Sequence, residues 1–408
     1  MKIAVYHNLP SGGGKRALYE MTRRLSARHT VDVYTLSCAE HDFCDIRPFA
    51  HLHIAVPFAT LPLARRPFGR LNQGIRALDL WRVRTVQRQV AQKIDGAGYD
   101  VVFAHNCRYG QAPSVLEFLR TPTVYYCAEP PRLLYEPRIP RPYNTFTRAQ
   151  RMGNWIDPLP RGYRSTLRRY DRQSTIAATT VLTNSAYSRE SLYRIYGIFA
   201  RISYLGVDVD RFQPQALPKG KFVVSVGALN PHKGFDFVIR SMALLDEAQR
   251  PRLILIGNAA DWRERAYLQS LAQQLRVMID FKTLVTDEEL IRLYCQAQLT
   301  LYAPVMEPFG FVPLESMACG TAVVGVREAG VRESVIDGET GVLVDREPAA
   351  MAAAVQALLC NPAAADRLGR NGRLSAEEKW TWDKSVEAIE RHLADTAKSK
   401  YLTGRTSG

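Results

Sequence analysis

The chain has 408 residues, 46% of them hydrophobic and 23% charged, with a formal net charge of +14. That length fits two large domains, and the composition excludes disordered, collagen-like and disulfide-scaffold classes. The charge is uneven: residues 1–205 hold 30 Lys and Arg against 14 Asp and Glu, and the remainder 24 against 26. An excess confined to one half points to a polyanionic partner for it: nucleic acid, an anionic membrane surface or a phosphorylated substrate.

The first strand is Ile3–Tyr6, followed by Ser11, Gly12, Gly13 and Gly14 and a helix with Leu18, Met21 and Leu25 on one face. Arg65–Ile94 predicts a basic helix. Strands follow at Tyr99–Ala104, Thr123–Tyr126 and Thr179–Thr183, after an earlier one at Val31–Leu36; Asn184 and Ser185 mark a helix start. Arg132–Arg172, rich in arginine and proline and poor in periodicity, predicts a long loop. In the second half Phe222–Val226, Leu253–Ile256, Leu299–Ala303, Ala322–Val326 and Gly341–Val344 are strands. A turn at Gly227–Gly234 leads into a helix from Phe235, and Thr286 with Glu289 forms a capping box. Strands alternating with helices predict an α/β chain of two Rossmann-like domains, 1–205 and 206–379, linked near Leu205–Pro214. A last helix spans Trp380–Lys398.

The longest apolar stretch, Ala349–Leu359, has 11 residues and is broken by Gln356; a membrane span needs about 18 or more. Met1–Tyr6 runs straight into His7, Asn8 and glycines, so no secretory leader is expected. The seven cysteines show no C-x-x-C spacing and are expected as reduced thiols of a cytoplasmic protein. The eight histidines have no ligand spacing against them, so no zinc site is expected.

Three segments carry candidate chemistry. Gly12–Gly14 stands between strand and helix, where the backbone can approach a ligand and helix amides can meet an anion. It matches neither the Walker nor the G-x-G-x-x-G pattern, because Arg16 follows Lys15 and Ala17 replaces the last glycine; a plain tight turn is the alternative. Gly227–Gly234 places Lys233 in a second strand-to-helix turn, where a lysine can lie against a diphosphate. Residues 304–345 put Glu307 in the loop after a buried strand, Pro308, Phe309 and Gly310 in a turn, and Glu315 on the following helix. Two carboxylates so placed can accept hydrogen bonds from neutral sugar hydroxyls, and the amides after Phe309 and Gly310 can meet phosphate.

Residues 304–345 resemble the donor-site signature of the retaining glycosyltransferases of family 4, which have the GT-B fold. The likeness extends through Gly12–Gly14, Asn184–Ser188, Gly206–Phe212, Val226–Gly234 and Trp380–Lys398, nearly the whole chain. It implies two Rossmann-like domains facing a central cleft, the second holding a nucleotide sugar and the first an acceptor, with the last helix (about 380–398) crossing back to the first. It implies that Glu307 contacts donor-sugar hydroxyls, Glu315 the ribose and Lys233 the diphosphate. Gly13 and Gly14 would close on the phosphate, with Phe309 and Gly310 also donor-binding and His105 near the sugar. Glu307, Lys233 and His105 are thus the catalytic candidates. Many members carry an arginine where this chain has Ala228, so helix amides, Arg327 or a first-domain group must supply that charge.

The implied reaction is front-face displacement with retention, the leaving diphosphate taking the acceptor proton, with no metal and no cofactor beyond the nucleotide-sugar co-substrate. Asp208-Val209-Asp210 superficially resembles a metal motif but lies in the interdomain link. Tyr126–Glu136 resembles a His-Glu-Pro-Pro-Arg stretch of mannosyltransferases in this family, with Ala128 in the histidine's place. That favours GDP-mannose and makes Arg132 and Glu129 candidate acceptor contacts, a loop salt bridge being the alternative for Arg132. The expected activity is hexose transfer to a saccharide or polyprenyl-diphosphate-linked acceptor in polysaccharide or glycolipid biosynthesis. The expected place is the cytoplasm, peripheral on an anionic inner membrane face. Alternatives are a UDP-sugar-dependent enzyme acting on a small metabolite and a non-catalytic sugar-nucleotide binder. No nucleic-acid motif is present, so no nucleic-acid partner is expected.

Overall fold

The computed structural model describes residues 1–65, 67–145, 148, 152, 156–257 and 261–403, with side chains to residue 398. Among these residues, strands form two sheets. The first contains β1 (Lys2–Asn8), β2 (Thr30–Leu36), β3 (Leu52–Val56), β4 (Val101–Cys107), β5 (Thr123–Tyr126), β6 (Thr180–Thr183) and β7 (Arg201–Ile202), in the order 3-2-1-4-5-6-7. The second contains β8 (Phe222–Val226), β9 (Arg252–Ile256), β10 (Ile279–Lys282), β11 (Thr300–Tyr302), β12 (Val323–Val326) and β13 (Gly341–Val344), in the order 10-9-8-11-12-13. The pairings are parallel, as in Val5 opposite Val33 and Val224 opposite Ile254. Helices cover both faces, which is why runs such as Ile3-Ala4-Val5 and Leu253-Ile254-Leu255 are buried throughout.

In each sheet the strand order reverses once, between β1 and β4 and between β8 and β11. A crevice opens beyond the carboxyl ends of the strands at such a point. The chain puts Gly12–Gly14 after β1, His105 on β4, Glu129 after β5, Gly227–Gly234 after β8 and Glu307 after β11. The candidate residues therefore meet because of topology, not sequence proximity.

The chain crosses between the domains twice, side by side. The Val207 amide donates to the Trp380 carbonyl at 2.7 Å, and a Cβ at Gly206 would lie 2.5 Å from the Trp382 nitrogen, so only glycine fits there. Helix Trp382–Thr403 then packs on the first domain, burying Val386, Ile389 and Leu393 beside Ile3 and Leu18. Arg24 bonds Asp383 at 2.7 Å and His29 bonds Glu390 at 2.6 Å.

Three strands, β3, β7 and β10, are absent from the sequence expectation. Each lies at a sheet edge and is only partly buried, so its apolar pattern is weak. The loop expected over Arg132–Arg172 is corrected: it contains helices Arg132–Tyr135 and Pro158–Ala177. The second starts with Asp157 as N-cap and Pro158 in the first turn, and it buries Asp171, Ser174 and Thr175 beside Leu167. A largely polar inner face hides the apolar periodicity. Arg151 and neighbouring residues of that stretch, and Asn258 after β9, lie outside the described residues.

Candidate functional site

Glu307 lies between cations from both domains. A Cβ at Gly234 (φ +65°) would sit 2.0 Å from the Ala303 carbonyl oxygen, so the β8 loop presses against the end of β11. That approach brings Lys233 Nζ to Glu307 Oε2, donating at 2.9 Å. From the first domain, Arg132 Nη2 lies 3.7 Å from the same oxygen. Arg132 also bonds Glu129 at 2.7 Å, Glu136 at 3.3 Å and the Val305 carbonyl at 3.4 Å. Burial alone would raise the Glu307 pKa; Lys233 and Arg132 outweigh it and hold the carboxyl below the ordinary glutamate value.

A cavity of about 250 Å³ opens beside this cluster. The first domain lines it with Gly13, Gly14, His105, Glu129 and Arg132, the second with Glu307, Phe309 and Gly310. A Cβ at Gly13 would lie 3.4 Å from the Phe311 ring, and one at Gly310 (φ +89°) 2.3 Å from the Tyr302 hydroxyl. At Gly310 only a glycine allows that close approach, while at Gly13 a side chain would sit in ordinary contact with the ring. His105 stacks on Tyr126 with centroids 5.3 Å apart, and its buried Nε2 has no partner among the described residues. Burial lowers its pKa to about 3. It is therefore a neutral imidazole near pH 7, fit to bond a hydroxyl rather than to supply charge. Burial also raises the Glu129 pKa, against the pull of Arg132.

Glu315 is not in this cavity. It lines an adjoining space of about 440 Å³ with Arg16 and Asp287, and Phe311 borders both spaces. Tyr294 donates to Glu315 Oε2 at 3.1 Å, and Arg16 reaches Oε1 at 3.4 Å and Asp287 at 2.8 Å. Burial raises the Glu315 pKa despite Arg16 and Tyr294. The two signature carboxylates thus stand in neighbouring lobes, one on each side of Phe311.

Of the groups that stood to replace the missing charge at Ala228, Arg327 is held elsewhere, by Asp337 and by the Leu343 carbonyl at 2.7 Å. Arg132, from the first domain, shares the Glu307 Oε2 oxygen with Lys233. Asp208 accepts from the Arg211 amide at 3.1 Å, a turn contact.

Sequence reasoning gave no role to Arg16, Phe311 or Arg141. Arg16 stood in the glycine segment, so its place on the helix was a usable signal. Arg141 had none. It extends from the arginine-rich stretch to the second domain, bonding buried Glu264 at 2.9 Å, Asp236 at 3.0 Å and the Pro231 carbonyl at 3.4 Å. Tyr143 donates to the same Glu264.

Known proteins resemble the chain in sequence and in fold. A sequence model described as Glycosyltransferase Family 4 matches residues 11–211, and one described as Glycosyl transferases group 1 matches residues 207–375. The chain belongs to glycosyltransferase family 4, and its paired parallel-sheet domains are a GT-B fold. It is 33% identical over 236 residues to a D-inositol 3-phosphate glycosyltransferase of Acidothermus cellulolyticus, covering 52% of each chain. It is 32% identical over 228 residues to a GDP-mannose-dependent alpha-(1-6)-phosphatidylinositol monomannoside mannosyltransferase of Mycolicibacterium smegmatis, covering 50% of this chain and 59% of that one. The chain thus spans little more than half the length of these curated relatives. Sucrose-phosphate synthase from Thermosynechococcus elongatus shares the fold with a TM-score of 0.76 at 19% identity, over 98% of this chain and 100% of that one.

Proposed function

We propose that the protein is a retaining, metal-independent hexosyltransferase that moves mannose from GDP-mannose to a saccharide or polyprenyl-diphosphate-linked acceptor. One observation carries this: Lys233 and Arg132 converge from opposite domains on Glu307, at the edge of a cavity lined by Gly13 and Gly14. In this reading the ribose lies on Glu315, the diphosphate crosses past Phe311 between Lys233 and the glycine amides, and the sugar meets Glu307 and His105. Lys233 exchanges Glu307 for the diphosphate, which frees the carboxylate oxygens for sugar hydroxyls.

The bond from the anomeric carbon to the diphosphate oxygen breaks as charge builds on that oxygen. Lys233, Arg132 and the amides stabilise the charge from fixed positions. The acceptor oxygen attacks from the same face, and its proton passes to the departing phosphate oxygen. The closed domains keep water from competing.

The Glu129-Pro130-Pro131-Arg132 stretch and the mannosyltransferase relative favour GDP-mannose. The second reading is a UDP-sugar enzyme acting on a small acceptor; the relative named for D-inositol 3-phosphate favours only its small acceptor. The non-catalytic reading loses ground because Arg132 brings a cation to a site where Ala228 has none. A panel of nucleotide sugars with chelator present, read by product stereochemistry, tests the proposal. Turnover of GDP-mannose with the anomeric configuration kept is expected. Turnover with UDP-sugars alone would select the second reading, and nucleotide binding without any turnover would overturn both.

A further inference from the structure

The outer surface of the first domain carries a feature that transfer chemistry does not use. Helix Asn72–Asp95 buries Leu80, Val83, Val90 and Ile94 against the domain. Along its outer side run Leu78 and Trp81, three residues apart, with Leu71, seven residues before Leu78, and Phe68 both in the short helical turn Phe68–Leu71 that leads into it. Leu78, Trp81, Leu71 and Phe68 are 57%, 59%, 52% and 65% exposed respectively. Large apolar side chains at helical spacing on a solvent face make a continuous patch, unlike single exposed residues.

The patch lies in a field of one sign. Residues 57–78 contain four arginines and no Asp or Glu, and residues 158–170 also contain four and none. The two segments are neighbours: a Cβ at Gly74 would lie 3.7 Å from Leu159, and Arg76 acts electrostatically on Tyr163. Arg65, Arg70, Arg76, Arg161 and Arg164 are exposed. The acids beside these segments are taken up internally. Asp79 is buried and accepts from Arg82 and the Leu61 amide, and Asp157 caps its helix.

We infer that this face docks on an anionic lipid bilayer, its arginines against the headgroups and Phe68, Leu71, Leu78 and Trp81 at the acyl boundary. A hydrated polyanion such as RNA or an acidic polysaccharide would engage the arginines and leave Leu71 and Leu78 in water. A bilayer offers both an anionic plane and an apolar layer beneath it. Among the described residues no single helix is long and apolar enough to cross a membrane, so the contact is one of lying on the surface. The inference rests on the lipid-linked-acceptor reading above for its purpose, and it is measured without it.

The experiment is co-sedimentation of the full chain with vesicles of phosphatidylcholine, with and without phosphatidylglycerol. The double variants Leu78→Ser/Trp81→Ser and Arg70→Glu/Arg76→Glu run alongside, with GDP-mannose and UDP-sugar binding measured on the same samples. Wild type should sediment with the anionic vesicles only. Each variant should lose at least about tenfold in partitioning at unchanged melting temperature and donor affinity. No binding by wild type, or variants that bind as wild type does, would overturn the docking. So would binding to single-stranded RNA in place of vesicles. Vesicle binding without donor binding would sink the transferase reading alone, and donor binding without vesicle binding the docking alone.

Discussion

The two domains share one architecture and differ in what they bring to the cleft. The second supplies carboxylates and one lysine: Glu307, Glu315, Asp287, Glu264 and Lys233. The first supplies glycines, a neutral histidine and three arginines, Arg16, Arg132 and Arg141, each on a second-domain carboxylate. Part of the basic excess of residues 1–205 is therefore internal, drawing the domains together, and the densest exposed runs of the rest are at residues 65–76 and 161–169. Charge asymmetry along a chain reports domain closure as well as an outside partner.

The contrast can be broken from either side. The largest effect belongs to the second domain: Lys233→Ala and Glu307→Ala should each lower kcat by about 10²–10³-fold with circular dichroism unchanged. Near-normal rates in both would remove the site assignment. Next comes the Arg141 tie. Arg141→Ala leaves Glu264 buried with no cation and only the Tyr143 hydroxyl as partner, and should cost about 3 kcal/mol of stability in a chemical denaturation curve. A loss under 1 kcal/mol or so would mean that water reaches Glu264 readily. Arg132→Met should cost about tenfold in turnover, the scale of one charge-assisted bond, and Arg132→Lys should recover part of it. An unaltered Arg132→Met rate would leave the first domain without an electrostatic part.

The smallest effect is in pH. Burial holds the Glu315 pKa above the ordinary glutamate value, whereas Lys233 and Arg132 hold Glu307 below it. The stability that Glu307 contributes is present above the ordinary range and is lost as pH falls through its lowered value. Glu315 acts in the opposite sense, favouring the fold below that range and losing this as pH rises through its raised value. Donor affinity should therefore weaken in two steps on acidification, the first through Glu315. In Glu315→Gln the upper step should vanish from a calorimetric titration series; its persistence would assign that step to another group.

The central strands and the donor loop were legible because their signals are contiguous. Buried parallel strands read as unbroken apolar runs, and Glu307, Phe309, Gly310 and Glu315 fall within nine residues. The edge strands were not, being half-exposed. Nor was the partition of the cleft: spacing places Glu307 and Glu315 on neighbouring elements, but only the packed position of Phe311 shows that it stands between them. Arg132 was picked out for an acceptor, and its reach to Glu307 depends on domain closure, which has no local sequence signal. Arg141 lay hidden in a segment whose helix has a polar inner face.

The most direct measurement is a crystal structure of the protein with GDP-mannose bound. The account predicts the mannose hydroxyls within hydrogen-bond reach of Glu307, the diphosphate on Lys233 and the amides of Gly13 and Gly14, and the ribose on Glu315. A nucleotide sugar bound elsewhere, with Lys233 still paired to Glu307, would contradict it.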